Sequence, residues 1–135
     1  MQAVIDTNVW VSAFLTPGGT AAKLLVAMYD ARLVPVFSAP IEAEYRVVLT
    51  RAKFNIGVEV LADFFSRLPV LGQFENNIPQ LDIDLPDPND APFIALALYA
   101  GCPVITGNVR HFPAAAGVVV LTPAEWVENM GQQSG

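Results

Sequence analysis

Short apolar runs alternate along the chain with longer stretches in which apolar residues recur every three or four positions, and turn-forming residues separate the two kinds. That alternation predicts strands and helices in turn, which is the signature of an α/β fold with a parallel sheet. Residues 2–5 read as a first strand ending at Asp6-Thr7-Asn8, and residues 8–15 as a helix broken by Thr16-Pro17-Gly18-Gly19. Residues 20–31 carry Ala21, Leu24, Leu25 and Met28 at helical spacing. Residues 33–37 read as a second strand. Ser38 then stands at the cap position of a helix from Pro40 to about Arg51, with the proline in its first turn. Val60, Leu61, Phe64, Phe65 and Leu68 predict a helix over 56–68, followed by a strand over 69–74 and a polar connection over 75–86. Residues 89–100 predict an apolar helix, 103–105 and 118–121 two strands, and 123–130 a closing helix. Residues 1–130 are therefore expected to form one domain and 131–135 a disordered tail, with no repeat or linker between.

Composition narrows this picture. At 135 residues, 53% hydrophobic and 15% charged, the chain has enough apolar mass for a core without disulfides or structural metal. Mean hydropathy is high, at +0.44, yet charges and prolines interrupt every apolar run well short of the roughly 18–20 residues that span a bilayer. No membrane association and no signal peptide are expected; the surplus apolar surface points instead to a homodimer. The lone Cys102 excludes an internal disulfide, reads as a small core residue, and fits a cytoplasmic location. The net charge of −6 argues against simple electrostatic capture of nucleic acid and suits a carboxylate cluster that attracts phosphate only with a cation bound.

The acids stand at informative places. Asp6 ends the first strand, and ligands of open parallel sheets bind beyond the carboxyl ends of strands; capping the next helix is its competing role. Glu44 shares a helix face with Ile41, Tyr45 and Val48, whereas Glu42 and Arg46 point elsewhere. A carboxylate on an apolar face needs a cation, a metal or a proton; an arginine or lysine is the alternative to a metal. Asp87-Pro88-Asn89-Asp90 makes a strong helix start, and a capping box would account for both of its acids. Asp90 nonetheless opens a helix apolar nearly all round, which carries it toward the interior. Thr106-Gly107-Asn108 again puts polar groups after a strand. Three acids from separate segments suit an oxygen-ligated Mg²⁺ or Mn²⁺. The single His111 makes a zinc or Ser-His-Asp enzyme a poor fit and reads as a surface loop residue or a phosphate contact at the rim.

These residues together resemble a family. Ile5-Asp6-Thr7-Asn8-Val9 is similar to the opening motif of PIN-domain proteins; Ser38 with Glu44-Tyr45, Val48-Leu49 and Arg51 is similar to their second block. Asp87-Pro88-Asn89-Asp90-Ala91-Pro92-Phe93 resembles the third block, and Ile105-Thr106-Gly107-Asn108 with His111-Phe112 the fourth. The resemblance covers about residues 3–128. It implies an α/β/α sandwich around a central parallel sheet, RNase H-like or flavodoxin-like, and a metal-dependent ribonuclease. Asp6, Glu44 and Asp90 would be catalytic and metal-holding, with Asn108 a further metal ligand. Asn8, Thr106 and Asp87 would support the site, and Arg46, Arg51 and Arg110 would guide the RNA. The VapC-like group adds the expectation of a toxin paired with an antitoxin protein, and of a homodimer. One departure stands out: where the fourth block often carries two aspartates, this chain has Asn108 and His111.

Two rivals remain at this stage. A phosphatase using Asp6 as nucleophile, of the haloacid-dehalogenase kind, would need a second acid where Asn8 stands and a lysine near a strand end. A degenerate PIN domain that binds RNA or protein without cutting would suit the missing acids and the negative charge.

Overall fold

The structure, a computed structural model, describes residues 1–112 and 117–134, with backbone only over 131–134. Five parallel strands form one sheet among the described residues: β1 (Gln2–Ile5), β2 (Val34–Phe37), β3 (Gln73–Phe74), β4 (Val104–Ile105) and β5 (Val120–Leu121), in the order β3-β2-β1-β4-β5. Six α-helices accompany them: α1 (Thr7–Leu15), α2 (Thr20–Tyr29), α3 (Ala39–Leu49), α4 (Val58–Leu71), α5 (Ala91–Ala100) and α6 (Pro123–Ser134). From β1 the chain steps outward to β2 and β3, then crosses back to β4. Right-handed crossovers send the helices of opposite steps to opposite faces, which yields the expected α/β/α layering. The order reverses between β1 and β4, and in such sheets the reversal opens a crevice beyond the strand ends.

The central strands are apolar and buried: Ala3, Val4, Ile5, Val104 and Ile105 have no solvent exposure, as befits a parallel sheet covered on both faces. α1 and α2 read together as a long apolar stretch, but they meet at a 99° bend, and no single helix among the described residues is long and apolar enough to cross a membrane. Most of their apolar residues serve the core, while Leu15 and Val26 are exposed. Trp10 meets the ring of Phe64 edge-on at 5.2 Å, and Phe64 in turn meets Phe14 at 5.3 Å.

Element boundaries follow the sequence pattern closely except around residue 70. The strand expected over 69–74 shrinks to Gln73–Phe74, because α4 runs through Pro69 to Leu71. Pro69 has a φ that suits a helix but lacks the amide hydrogen that would bond to the carbonyl of Phe65, a cost confined to the last turn. The buried series Leu61, Phe64, Phe65 and Leu68 favours the longer helix. Gly72 ends it at a crowded spot: a Cβ there would lie 2.7 Å from the carbonyl oxygens of both Leu68 and Pro35. Pro35 also explains why β3 starts late. The amides of Val34 and Val36 face β1, so position 35 faces the β3 side, where proline has no hydrogen to donate; pairing begins only at Val36 with Gln73. At the other end, α6 continues to Ser134, so helical backbone extends over four of the five residues expected as a tail; Gly135 lies outside the described residues.

Candidate metal centre at the strand ends

The sheet register places the first acid. Val4 pairs with Val104 and Ile5 with Ile105, so Asp6 and Thr106 emerge side by side at the reversal of strand order. The Asp6 amide donates to the Ile105 carbonyl at 2.9 Å, and the Thr106 hydroxyl donates to Asp6 Oδ2 at 2.7 Å. Thr106 is itself fully buried and accepts the Asn108 amide at 3.0 Å. Asp6 occupies the cap position of α1 but its side chain bonds no cap amide. Capping therefore does not account for its carboxylate.

Glu44 is brought to Asp6 by its neighbours. The Tyr45 hydroxyl donates to the Ile5 carbonyl, which pins α3 to the end of β1, and the Thr7 hydroxyl donates to Glu44 Oε2. No arginine or lysine forms a salt bridge with Glu44 among the described residues; Arg51 acts on it only through the field, holding its carboxyl down against the stronger effect of burial. Ser38 stands at the cap of α3 as expected, but makes no side-chain cap bond and is buried.

The segment before α5 divides its two acids. Asp87 caps a short 3-10 helix (Pro88–Asp90), accepting the Asn89 amide at 3.0 Å. The reciprocal half of a capping box does not form: Asp90 Oδ2 is buried with no hydrogen-bond partner. His111 Nδ1 stands 3.4 Å from it, a contact without hydrogen-bond geometry. One ligand atom each from Asp87, Asp90 and His111 lie within 4.8 Å of one another. Asn8 Oδ1 is a second buried oxygen without a partner, placed under Gly107.

The electrostatics tie these acids into one cluster. Burial raises the carboxyl of Asp6 above its ordinary value, against the pull of the Thr106 hydrogen bond, with Asp87 adding a smaller push. Glu44 is raised by burial and further by Asp6 and Asp87, while the Thr7 bond lowers it. Asp90 is pushed up to about 6, by burial first and then by the charges of Asp6 and Asp87, with His111 opposing. Carboxylates that repel one another in a partly dry crevice are stabilised by a shared cation. The residues present fit a divalent ion: the donors are hard oxygens, and the orphaned Asp90 Oδ2 and Asn8 Oδ1 have no protein group to satisfy them.

The supporting residues fare unequally. Thr106 and Asp87 join the acids, while Asn8 lies with its unpartnered oxygen toward Gly107. Asn108 is exposed and touches the cluster through its backbone amide. Arg51 lies within electrostatic range of Glu44, and Arg110 is exposed in the short 3-10 helix Val109–His111. Arg46 is not brought to the acids: it pairs with Glu42 at 3.1 Å and stacks on the Phe65 ring at 4.3 Å. His111, read from sequence as a loop or rim residue, enters the cluster. The signal was present in its position, where the resembling family often has an acid. Cys102 is half-buried against the core, as expected, and burial raises its thiol.

A doubly covered parallel sheet with carboxylates clustered near its strand reversal defines an α/β domain with a candidate metal-binding group. The chain belongs to the PIN-domain family, whose pattern matches residues 2–110. PIN domains are typically nucleases and generally use divalent metal ions. A comparison with curated proteins finds no match.

Proposed function

We propose that this chain is a metal-dependent endoribonuclease that hydrolyses RNA phosphodiester bonds, with Asp6, Glu44 and Asp90 as its catalytic, metal-holding acids and Mg²⁺ or Mn²⁺ as cofactor. What supports the reading is that the charges of Asp6 and Glu44, from two other segments, act on Asp90, which keeps a buried oxygen without a partner. A bound divalent ion supplies Lewis acidity, lowering the pKa of a coordinated water and neutralising charge on the phosphoryl oxygens. The chain's own groups do the rest. Thr106 and Thr7 fix the carboxylates of Asp6 and Glu44, so little reorganisation is needed on binding. Asn8 Oδ1 and Asn108 stand where they orient water or the scissile phosphate. Asp87 adds negative charge beside Asp90, and Arg51 and Arg110 steer the RNA backbone toward a cleft that is otherwise repulsive to it.

The same reading makes the protein the toxin of a toxin–antitoxin pair, acting in the cytoplasm, held in check by an antitoxin protein and working as a homodimer. Exposed Val58, Val60 and Val70 on α4 supply apolar surface for such contacts. Incubation of a single-stranded RNA with Mn²⁺ should give cleavage that EDTA stops and that Asp6→Asn and Glu44→Gln lack, with circular dichroism unchanged. Equal cleavage by wild type and both variants removes the nuclease assignment. Metal-bound protein that never cleaves supports the non-cutting PIN domain instead. Growth arrest on expression of wild type but not of Asp6→Asn tests the toxin role.

A further inference from the structure

His111 stands one residue beyond the stretch matched by the family pattern, and it is the chain's only histidine. Its Nδ1 faces Asp90 Oδ2 at 3.4 Å, too long and too poorly directed for the hydrogen bond that a settled ion pair makes at about 2.7–2.9 Å. If pairing with Asp90 were its whole role, the buried oxygen would be expected to close that gap. Instead the imidazole nitrogen and carboxylate oxygens of Asp87 and Asp90 stand within 4.8 Å of one another. Metal–ligand bonds of about 2.1 Å set opposite ligands about 4.2 Å apart, so small side-chain rotations suffice to gather these atoms on one ion. The neighbouring strand-end residue Asn108 offers an amide, so no acid from that turn competes with the imidazole.

Resting on the metal-dependent reading above, we propose that His111 supplies a nitrogen ligand to the divalent ion of this cleft and shifts its preference from Mg²⁺ toward Mn²⁺ and other first-row transition ions. Mg²⁺ demands hard oxygen ligands and gives up its waters reluctantly, whereas an imidazole is a borderline donor that transition ions accept. Asp90 is then shared: its carboxylate lies in the field of Asp6 and Glu44 and also against His111. This joins the oxygen-only acids to the mixed nitrogen–oxygen group. The substitution of an acid by His111 becomes a retuning of the site rather than a loss.

The single histidine makes the test unambiguous. Tag-free protein loaded with Mn²⁺ should show, by pulsed electron paramagnetic resonance, the ¹⁴N coupling of a directly bound imidazole, and His111→Gln should lack it. The His111 side chain is 41% exposed in a surface turn, so the variant is expected to fold; the wild-type spectrum decides the question even if it does not. Calorimetric competition should show the preference for Mn²⁺ over Mg²⁺ falling roughly tenfold in His111→Asp. Mn²⁺ bound without ¹⁴N coupling overturns this inference and leaves the nuclease reading standing. Absence of any Mn²⁺ binding overturns both.

Discussion

Asp6 and Asp90 are almost equally withdrawn from water, at 7% and 8% exposure, yet the protein treats them differently. Asp6 receives the Thr106 hydroxyl, and its partner Glu44 receives that of Thr7, so the chain's own hydrogen bonds set both carboxylates. Asp90 has burial and repulsion without a bond to its Oδ2, and His111 stands 3.4 Å from that oxygen. The first part of the cleft is preorganised by the fold. The second is held under strain of desolvation that a ligand must relieve, and that division is what a metal site requires: fixed donors to define the place, and an unsatisfied donor to supply the affinity.

The contrast is broken most sharply at Asp90. Asp90→Asn should lower metal-dependent RNA cleavage by roughly a hundredfold or more. The same change should raise the metal-free stability at pH 7 by ~1–2 kcal/mol, because an uncompensated charge is gone while water at the cleft mouth screens part of it. Activity and thermal midpoint moving in opposite directions is the expected pair; a fall in both makes Asp90 a structural acid. Thr106→Val tests the other part: it strands Asp6 Oδ2 and should cost ~2 kcal/mol by urea unfolding and about tenfold in activity, with Thr106→Ser restoring most of both.

A smaller effect lies in pH. Asp90 titrates near 6 in the folded protein, above the ordinary carboxylate value of 3.8, so the folded state binds its proton more tightly than the unfolded state does. Its contribution is therefore favourable below about 4 and is lost as pH rises through about 6. Metal-free wild type should lose stability relative to Asp90→Asn between pH 5 and 7, by about 1 kcal/mol, and saturating Mn²⁺ should flatten the difference. Least affected should be Arg46→Ala: its exposed pair with Glu42 is worth less than ~0.5 kcal/mol, and RNA affinity should change less than in Arg51→Ala. An Arg46 variant that binds RNA more weakly than the Arg51 variant would place the strand along α3 and α4 instead.

Much of this was legible in advance. The alternation of strand-length and helix-length patterns located nearly every element, and the acids at strand and helix ends pointed to the right neighbourhood. Where the reading slipped, the cause was a contact between distant segments. The strand expected over 69–74 was lost to α4 because Pro35, on another strand, withholds the partner amide that an earlier start would need. Arg46, two positions from Glu44, was drawn off by Phe65 of α4. His111 looked like a rim residue because nothing in its immediate sequence reveals that the turn after β4 folds back onto Asp87 and Asp90.

Local patterning alone determined the fold class, the strand-end position of Asp6, the helix that carries Glu44 and the place of Asp90 at the start of an apolar helix, since periodicity and capping chemistry act within a few residues. Tertiary structure alone decided which carboxylates are satisfied. Thr106 reaches Asp6 across 100 positions of chain and Thr7 reaches Glu44 across 37, while Asp90 is left with an imidazole and no hydrogen bond. Hydrogen bonding and repulsion depend on distance in space, and only the packed sheet brings these groups within reach of one another.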